Sequence, residues 1–394
     1  MRIGIDARFY GPIGKGLGRY TQEVVDNLMK ITSATEGASF NYVIFLSPEN
    51  FDEFVVETDA PVKKVLLRVR WYSLAEQLIM PFYLWREELD LMHFPHFNVP
   101  VLTPSKFVVT IHDLILTHFP TIRATTRNYW LYRLKNLAYR LVIWLAIKRA
   151  RKIITVSEFT KNDLIEQFKV PAAKIAVTYE GVANLAKGRD SLFVAKLDNQ
   201  ETLEQYHTAK NFLLYFGNAY PHKNLERLIK VFGKLHLVHP ELRLVLVGKE
   251  DYFYRVVEEY ARSLNLWQRG NLNSPVVFPG YVPDAQLEVL YSEARAYVFP
   301  SLYEGFGLPP LEAMAHACPV LSSNRASLPE ILGSAALYFN PEDESELFQK
   351  MELILGSENL RTSLINLGRE QVKKYNWWEC ANQTWTIYRQ ILKV

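Results

Sequence analysis

Along this chain, short apolar runs bounded by glycine, proline or charged residues alternate with longer stretches whose apolar residues recur every three or four positions. The short runs, dense in Val, Ile, Leu and aromatics, predict strands buried on both faces, and the longer stretches predict helices. In the first half the runs are RIGIDA from Arg2, YVIFLS (Tyr42 to Ser47), KKVLLR (Lys63 to Arg68), LMHFP (Leu91 to Pro95), FVVTIHD (Phe107 to Asp113), KIITVS (Lys152 to Ser157) and KIAVTYEGV (Lys174 to Val182). Ser157 is placed to cap the helix begun by EFTKNDLIEQF. From Ala183 to about Thr208 the pattern fades into polar sequence, which predicts an interdomain linker. It resumes with NFLLYFGNAYPHKNLERLIKVFGKL (Asn211 to Leu235), then LRLVLVG, VVFPGYV, ARAYVFPS, PVLSS and ALYFN. Alternation over both halves predicts an α/β architecture with two parallel-sheet domains. A ligand at the C-terminal ends of both sheets would lie in the cleft between them.

Composition agrees with two substantial cores. The chain has 394 residues, 49% of them hydrophobic and 22% charged, more than one core usually accommodates. Only Cys318 and Cys380 are present, so no disulfide framework is expected and a reducing cytoplasm is implied. MRIGIDA reads as a strand from the start, so no signal peptide is expected, and LVIWLAI (Leu141 to Ile147) is too short to span a bilayer. The net charge of +3 is unevenly spread. Between Thr121 and Lys152 nine basic residues and no acidic one are interleaved with Tyr129, Trp130, Tyr132, Tyr139 and Trp144. Such a stretch fits an anionic membrane surface; the alternative is a helix with one face in the core and a solvated basic face.

Candidate chemistry concentrates in YEGFGLPPLEAMAHAC (Tyr303 to Cys318), directly after a predicted strand. Pro309 and Pro310 suit the first helical positions, where a missing N–H costs nothing, so the unit reads strand, glycine loop, helix start. Free N–H groups and the positive end of the helix dipole favour an anion there. Glu304 at the strand end and Glu312 in the first helical turn would border one pocket, accepting hydrogen bonds from hydroxyls. The pattern suggests a ligand carrying both an anion and a polyol. The alternative is a solvated loop glutamate and a helix-start charge that serves the dipole.

FGNAYPHKN places His222 and Lys223 just after a strand, where a cation could neutralise a phosphate leaving group. YGPIGKGLGRY carries Gly11, Gly14, Gly16 and Gly18 before a helix from about Arg19, a loop able to hold a diphosphate, though its spacing is neither GxGxxG nor a P-loop. His112 and Asp113 end a strand where either could touch a substrate hydroxyl. No Asp-x-Asp pair occurs, and His93 and His96, three apart at a strand end, fall on opposite faces, so no metal site is predicted.

In order, GLGRYT, TIHDL, ITVSEFTKNDL, VTYEGV, NAYPHKNLERLI, FPGYVPDAQL, EGFGLPPLE and ACPVLSSNRASLPEI (Ala317 to Ile331) resemble segments of the retaining GT-B glycosyltransferases of family 4 over essentially the whole chain. EGFGLPPLE matches that family's E-x7-E element. The resemblance implies an α/β GT-B fold: an acceptor-binding Rossmann-like domain at 1–190, a nucleotide-sugar-binding one at 205–375, the two facing across a cleft, and a C-terminal helix at 376–394 crossing back to the first. It implies that Glu304, His112 and Lys223 are catalytic, with Glu304 near the reacting centre of the donor sugar and Lys223 on the diphosphate. Donor contacts are implied for Gly16, Gly18, Asn218, His222, Tyr281, Val282, Gly305, Phe306, Gly307, Leu308 and Glu312, the last on the ribose hydroxyls. His222 stands where many relatives carry arginine, which would make its share of leaving-group neutralisation pH dependent.

The implied activity is retaining, metal-independent hexosyl transfer from a nucleotide diphosphate sugar to a saccharide or lipid-linked acceptor in surface polysaccharide or glycolipid assembly, with the donor as substrate and no cofactor. VTYEGV and TIHDL look most like the mannosyltransferase-like branch, so GDP-mannose is the first expectation and UDP-hexoses the alternative. Nucleic acid is not an expected partner, and the implied location is the cytoplasm or the cytoplasmic membrane face. Two other classes compete. A glycoside hydrolase needs paired carboxylates but has no use for a phosphate-binding helix start or Lys223. A non-catalytic nucleotide-sugar-binding subunit would share the fold without needing both glutamates.

Overall fold

The computed structural model describes residues 1–35, 40–119, 129–182, 198–208 and 211–394. They divide into two compact units, Met1–Gly181 with Asn376–Val394, and Val182–Tyr375.

In the first unit β1 (Arg2–Asp6), β2 (Asn41–Leu46), β3 (Val62–Leu66), β4 (Leu91–Phe94), β5 (Phe107–Ile111), β6 (Lys152–Thr155) and β7 (Ile175–Val177) form one parallel sheet. Their order, β3-β2-β1-β4-β5-β6-β7, reverses between β1 and β4, the topological switch point of a doubly wound sheet. Every strand coincides with an apolar run, and β4 and β5 are buried at all positions, as a sheet covered on both faces requires.

The helix after β1 is Lys15–Ala34, so Gly16 and Gly18 lie in its first turn and not in a loop ending near Arg19. The glycines obscured this start. A Cβ on Gly18 would run into the carbonyl oxygens of Phe9 and Gly11, whereas one on Gly16 would meet open space. Helix Glu158–Phe168 begins as expected: Ser157 Oγ accepts from Thr160 N–H at 3.1 Å. Arg8, fully buried, donates to Asp6 at 2.7 Å and to Glu76 at 2.5 Å, tying the end of β1 to helix Leu74–Arg86.

Helix Trp377–Leu392 belongs to this unit and packs against helix Lys15–Ala34, burying Trp377, Cys380, Ala381, Trp385, Ile387 and Tyr388. Asn376 caps it by accepting from Trp378 N–H. His93, wholly buried in β4, is held between Tyr388 Oη at 2.5 Å and Thr110 Oγ1 at 2.9 Å. Burial, and then the charge of His112, push its pKa from 6.5 down to about 3. A histidine neutral in the fold but protonated when unfolded contributes stability above its unfolded pKa and loses it as pH falls from 6.5 toward 3. At about pH 5 the loss from His93 is roughly 2 kcal/mol. His93→Gln should therefore flatten the fall in Tm between about pH 7.5 and pH 5. Parallel curves for variant and parent would contradict the assignment.

In the second unit β8 (Phe212–Phe216), β9 (Arg243–Val247), β10 (Val276–Gly280), β11 (Ala296–Phe299), β12 (Val320–Ser323) and β13 (Ala336–Phe339) form a parallel sheet in the order β10-β9-β8-β11-β12-β13. Its order reverses between β8 and β11. The polar region expected to be a linker is in part a helix, Asn199–Gln205, capped by Asp198 and burying Thr202 and Leu203. At seven residues it is too short for its periodicity to stand out. Residues 183–197 of that region lie outside the described residues, as do 121–128 of the basic stretch. The rest of the basic stretch is mainly helix Tyr129–Arg149. Among the described residues no helix is long and apolar enough to cross a membrane.

Candidate active site

In the second unit the chain leaves β8 and β11, the two strands at the reversal, and the segments that follow them are stitched together. After β8, Pro221–Lys223 makes a single 3-10 turn with Lys223 N–H on Tyr220 O at 2.8 Å. Asn224 then takes a left-handed conformation at φ 61°. Its side-chain amide donates to Pro300 O at 3.2 Å and Pro341 O at 2.9 Å. Leu302 N–H, after β11, returns a bond to His222 O at 2.7 Å. These bonds set Lys223 against Glu304: Nζ lies 2.5 Å from Oε1, both side chains are about nine-tenths covered, and Nζ stands 5.4 Å from the Phe299 ring centroid.

A buried ammonium–carboxylate pair gains little net stability over apolar packing, because desolvation offsets most of the attraction. Its chemistry is more informative than its energy. Lys223 has three N–H donors and one is used on Glu304, so it can also serve phosphate oxygens; the Glu304 carboxylate retains lone pairs for hydroxyls. The helix beyond the glycine turn is Leu308–Ala315, with Gly307 as its cap at φ 104°. A Cβ at Gly307 would be strained and would approach Leu328 Cδ2 to 2.8 Å. Because Pro309 and Pro310 have no N–H, the donors left for an anion narrow to Leu308 and the glycine turn. Ser327 Oγ, fully buried, lies 3.0 Å from the carbonyl oxygens of both Glu304 and Phe306 and pins that turn from behind.

Glu312 is the fifth residue of this helix, half-buried, and the first turn holds no acidic residue. The expectation of a first-turn glutamate is corrected: the helix starts immediately at Leu308, and the prolines take up its opening positions. His222 is buried beside Lys223, with Tyr220 stacked near it at 5.9 Å. Burial, then the Lys223 charge, push its pKa down to about 4. In the free protein His222 is thus neutral near pH 7, and the expected pH-dependent charge beside Lys223 is absent there. Asn218 and Val282 lie after β8 and β10, with Asn218 O accepting from Tyr215 Oη at 2.6 Å and Val282 buried. Tyr281 is 73% exposed. A separate cavity of about 370 Å³, lined by Glu258, Arg262 and Trp267 among others, contains none of these residues.

In the first unit His112 follows β5. Its Nδ1 is 3.0 Å from Glu180 Oε1, its Nε2 is 2.9 Å from Pro95 O, and its ring meets Tyr20 edge-on at 4.5 Å. Burial pulls its pKa down, but the bond and charge of Glu180, with Pro95 O, outweigh that and hold it above 6.5. Both partners are acceptors, so both ring nitrogens are best satisfied as donors, which is the imidazolium form. Glu180, within VTYEGV, was not among the expected site residues, because its pairing with His112 spans 68 positions and leaves no local signal. Asn224, beside Lys223 in the sequence, was visible in principle, since asparagine tolerates the left-handed conformation. Ser327 lies within ACPVLSSNRASLPEI, but its bonds to Glu304 O and Phe306 O span 23 and 21 positions and carry no local signal.

Residues 16–183 match the profile of Glycosyltransferase Family 4, and residues 198–371 that of Glycosyl transferases group 1. The O-antigen chain mannosyltransferase B of Escherichia coli is 29% identical over 95% of this chain and 96% of its own length. The O-antigen chain mannosyltransferase RfbU of Salmonella typhimurium (strain LT2) is 28% identical over 70% of this chain and 67% of its own. Among solved structures, sucrose-phosphate synthase from Thermosynechococcus elongatus superposes with a TM-score of 0.75 at 21% identity, covering 100% of this chain and 99% of that one, a likeness of fold. The fold is GT-B. The chain belongs to the family 4 glycosyltransferases, and its activity is glycosyl transfer.

Proposed function

We propose that the chain transfers mannose from GDP-mannose, with retention of anomeric configuration, to a lipid-linked saccharide during assembly of a surface polysaccharide. The observation that carries this reading is the Lys223–Glu304 pair, buried where the sheet order reverses, with the glycine turn and helix start beside it. In the reaction the bond from C1 of the sugar to the diphosphate breaks, and the acceptor oxygen bonds to C1 from the same face. The acceptor proton leaves with the nucleoside diphosphate. Lys223 and the Leu308 N–H take the charge that develops on the departing phosphate, while Glu304 and Glu312 accept from sugar and ribose hydroxyls. This assigns charge neutralisation to the protein and needs neither a metal nor a cofactor. For His112, Gly16 and Gly18 the family resemblance supplies the ground for a donor role. Mannose is favoured over a UDP-linked hexose because both relatives above are named mannosyltransferases. The same reading puts the acceptor at the cytoplasmic face of a membrane, contacted through residues 121–152.

A donor screen tests the proposal. GDP-mannose at about 100 times its Kd should raise Tm by roughly 5 °C or more, and UDP-glucose, UDP-galactose and UDP-N-acetylglucosamine should not. Release of GDP should be unchanged by EDTA. A shift with a UDP-sugar alone would replace mannose in this account, and loss of turnover in EDTA that Mg²⁺ restores would overturn its metal independence.

A further inference from the structure

Helices Leu74–Arg86 and Tyr129–Arg149 cover the same face of the seven-stranded sheet. Met80 and Leu84 of the first share one buried cluster with Ile143, Ala146 and Ile147 of the second, and with Phe94 and Val109 beneath them. The inner side of the first helix is further fixed by Glu76, which is buried against Arg8 and against Asn98 at 2.8 Å. The outer side is therefore not a core face awaiting a place in this unit.

That outer side is apolar. Leu74, Leu78, Phe82 and Trp85 follow one another at helical spacing and are 86, 71, 57 and 67% exposed. On the second helix Leu137, Leu141 and Trp144 do the same at 65, 53 and 46%. The turn carrying Leu102, 67% exposed, bridges the two helices. Val101 N–H donates to Gln77 Oε1 at 2.9 Å, and Arg149 donates to the carbonyls of Val101 and, at 2.7 Å, of Thr103. Leucines, a phenylalanine and two tryptophans thus stand outward from three joined elements. Around them are the exposed cations Arg86, Arg133, Arg140 and Lys148, the last with its ammonium 4.8 Å over the Trp144 ring. Neither helix exposes a carboxylate: Glu76 is buried, and Tyr129–Arg149 contains none.

We propose that this two-helix face docks onto an anionic phospholipid bilayer, its leucine, phenylalanine and tryptophan side chains entering the interface and its arginines and lysine pairing with headgroup phosphates. Apolar stripes with tryptophan, flanked by cations and free of exposed acids, suit that interface. A second copy of the chain fits worse, because a two-fold contact through this patch would bring the same cations together. The inference deepens the membrane contact proposed for residues 121–152. It adds helix Leu74–Arg86 and Leu102, and it stands independently of which donor is used.

Flotation of the full chain with vesicles tests it, using phosphatidylethanolamine with about 30% phosphatidylglycerol against pure phosphatidylcholine. The chain should partition onto the anionic vesicles and hardly at all onto the neutral ones. Leu74→Ser/Leu78→Ser/Phe82→Ser, which alters outward side chains only, should bind at least about tenfold more weakly, and Arg140→Ser/Lys148→Ser severalfold more weakly. Thermal shift by GDP-mannose should persist in both variants; if the unaltered chain shows no such shift yet binds vesicles, the GDP-mannose reading fails and this one stands. Equal binding by the triple variant, or no binding by the unaltered chain, would overturn the proposal. So would a dimer that the triple variant dissociates in the absence of any lipid binding, which would assign the face to a second copy.

Discussion

Glu304→Gln is expected to lower kcat/KM for glycosyl transfer at least about 10²-fold while leaving the affinity for free GDP equal or higher. The buried Lys223–Glu304 pair explains the split. In the free protein one Lys223 N–H is engaged by the carboxylate at 2.5 Å, and a diphosphate must share that ammonium. Glutamine keeps the shape but removes the competing charge, so the diphosphate meets a less neutralised cation. The sugar hydroxyls, however, lose their carboxylate. Lys223→Ala should do the reverse, weakening GDP by about tenfold or more as well as slowing transfer, and should also destabilise the second unit by roughly 3–5 kcal/mol because Glu304 is left buried without its partner. Isothermal titration with GDP, set beside steady-state GDP release, reads both variants. Turnover by Glu304→Gln within a few-fold of the unaltered chain would place the reaction elsewhere.

Ending the chain at Tyr375 should unfold the first unit while sparing the second. Helix Trp377–Leu392 buries Trp377, Cys380, Ala381, Trp385, Ile387 and Tyr388 in the first unit, although it follows the second in the sequence. At about 1.5–3 kcal/mol for each large side chain the loss is on the order of 10 kcal/mol, comparable to the whole stability of a domain. The backbone fits closely as well, since a Cβ at Gly181 would run into the backbone of Asn376 and Trp377. His93 would lose Tyr388, one of its two hydrogen-bond partners. Limited proteolysis should therefore degrade residues before Gly181 and leave a fragment near 182–375. Equal protease resistance of both halves in the truncated chain would contradict this. Trp385→Ala, costing about 3–5 kcal/mol, should lower the first unit's melting transition without abolishing it.

Strands were the legible part of this fold. Most lie in a parallel sheet covered on both faces and so appear as compact apolar runs between breakers; edge strand β3, VKKVL, with only Val65 buried, is the weakest of the thirteen among the described residues. Helix starts were less so. Gly16 and Gly18 disguise the first turn of Lys15–Ala34, and Asn199–Gln205 is too short to show a period. Lys223, Glu304 and the glycine turn were legible because the sequence of strand, turn and helix start places them at strand ends. Their pairing was not, because it joins positions 81 apart. The neutrality of His222 and the Glu180 partner of His112 depend on burial and on contacts made only after folding. The apolar outer face of Leu74–Arg86 was hidden for a different reason: LAEQLIMPFYLWR is apolar nearly all round, which reads as a buried helix until Glu76 fixes the inner side.

The most direct test of the account is transfer of label from GDP-[¹⁴C]mannose into the organic-extractable fraction of bacterial membranes that carry lipid-linked saccharides, with the purified chain added. Label should enter that fraction with the unaltered chain and stay with the nucleotide when Lys223→Ala is used. Label that moves only from a UDP-sugar, or from no nucleotide sugar at all, would contradict it.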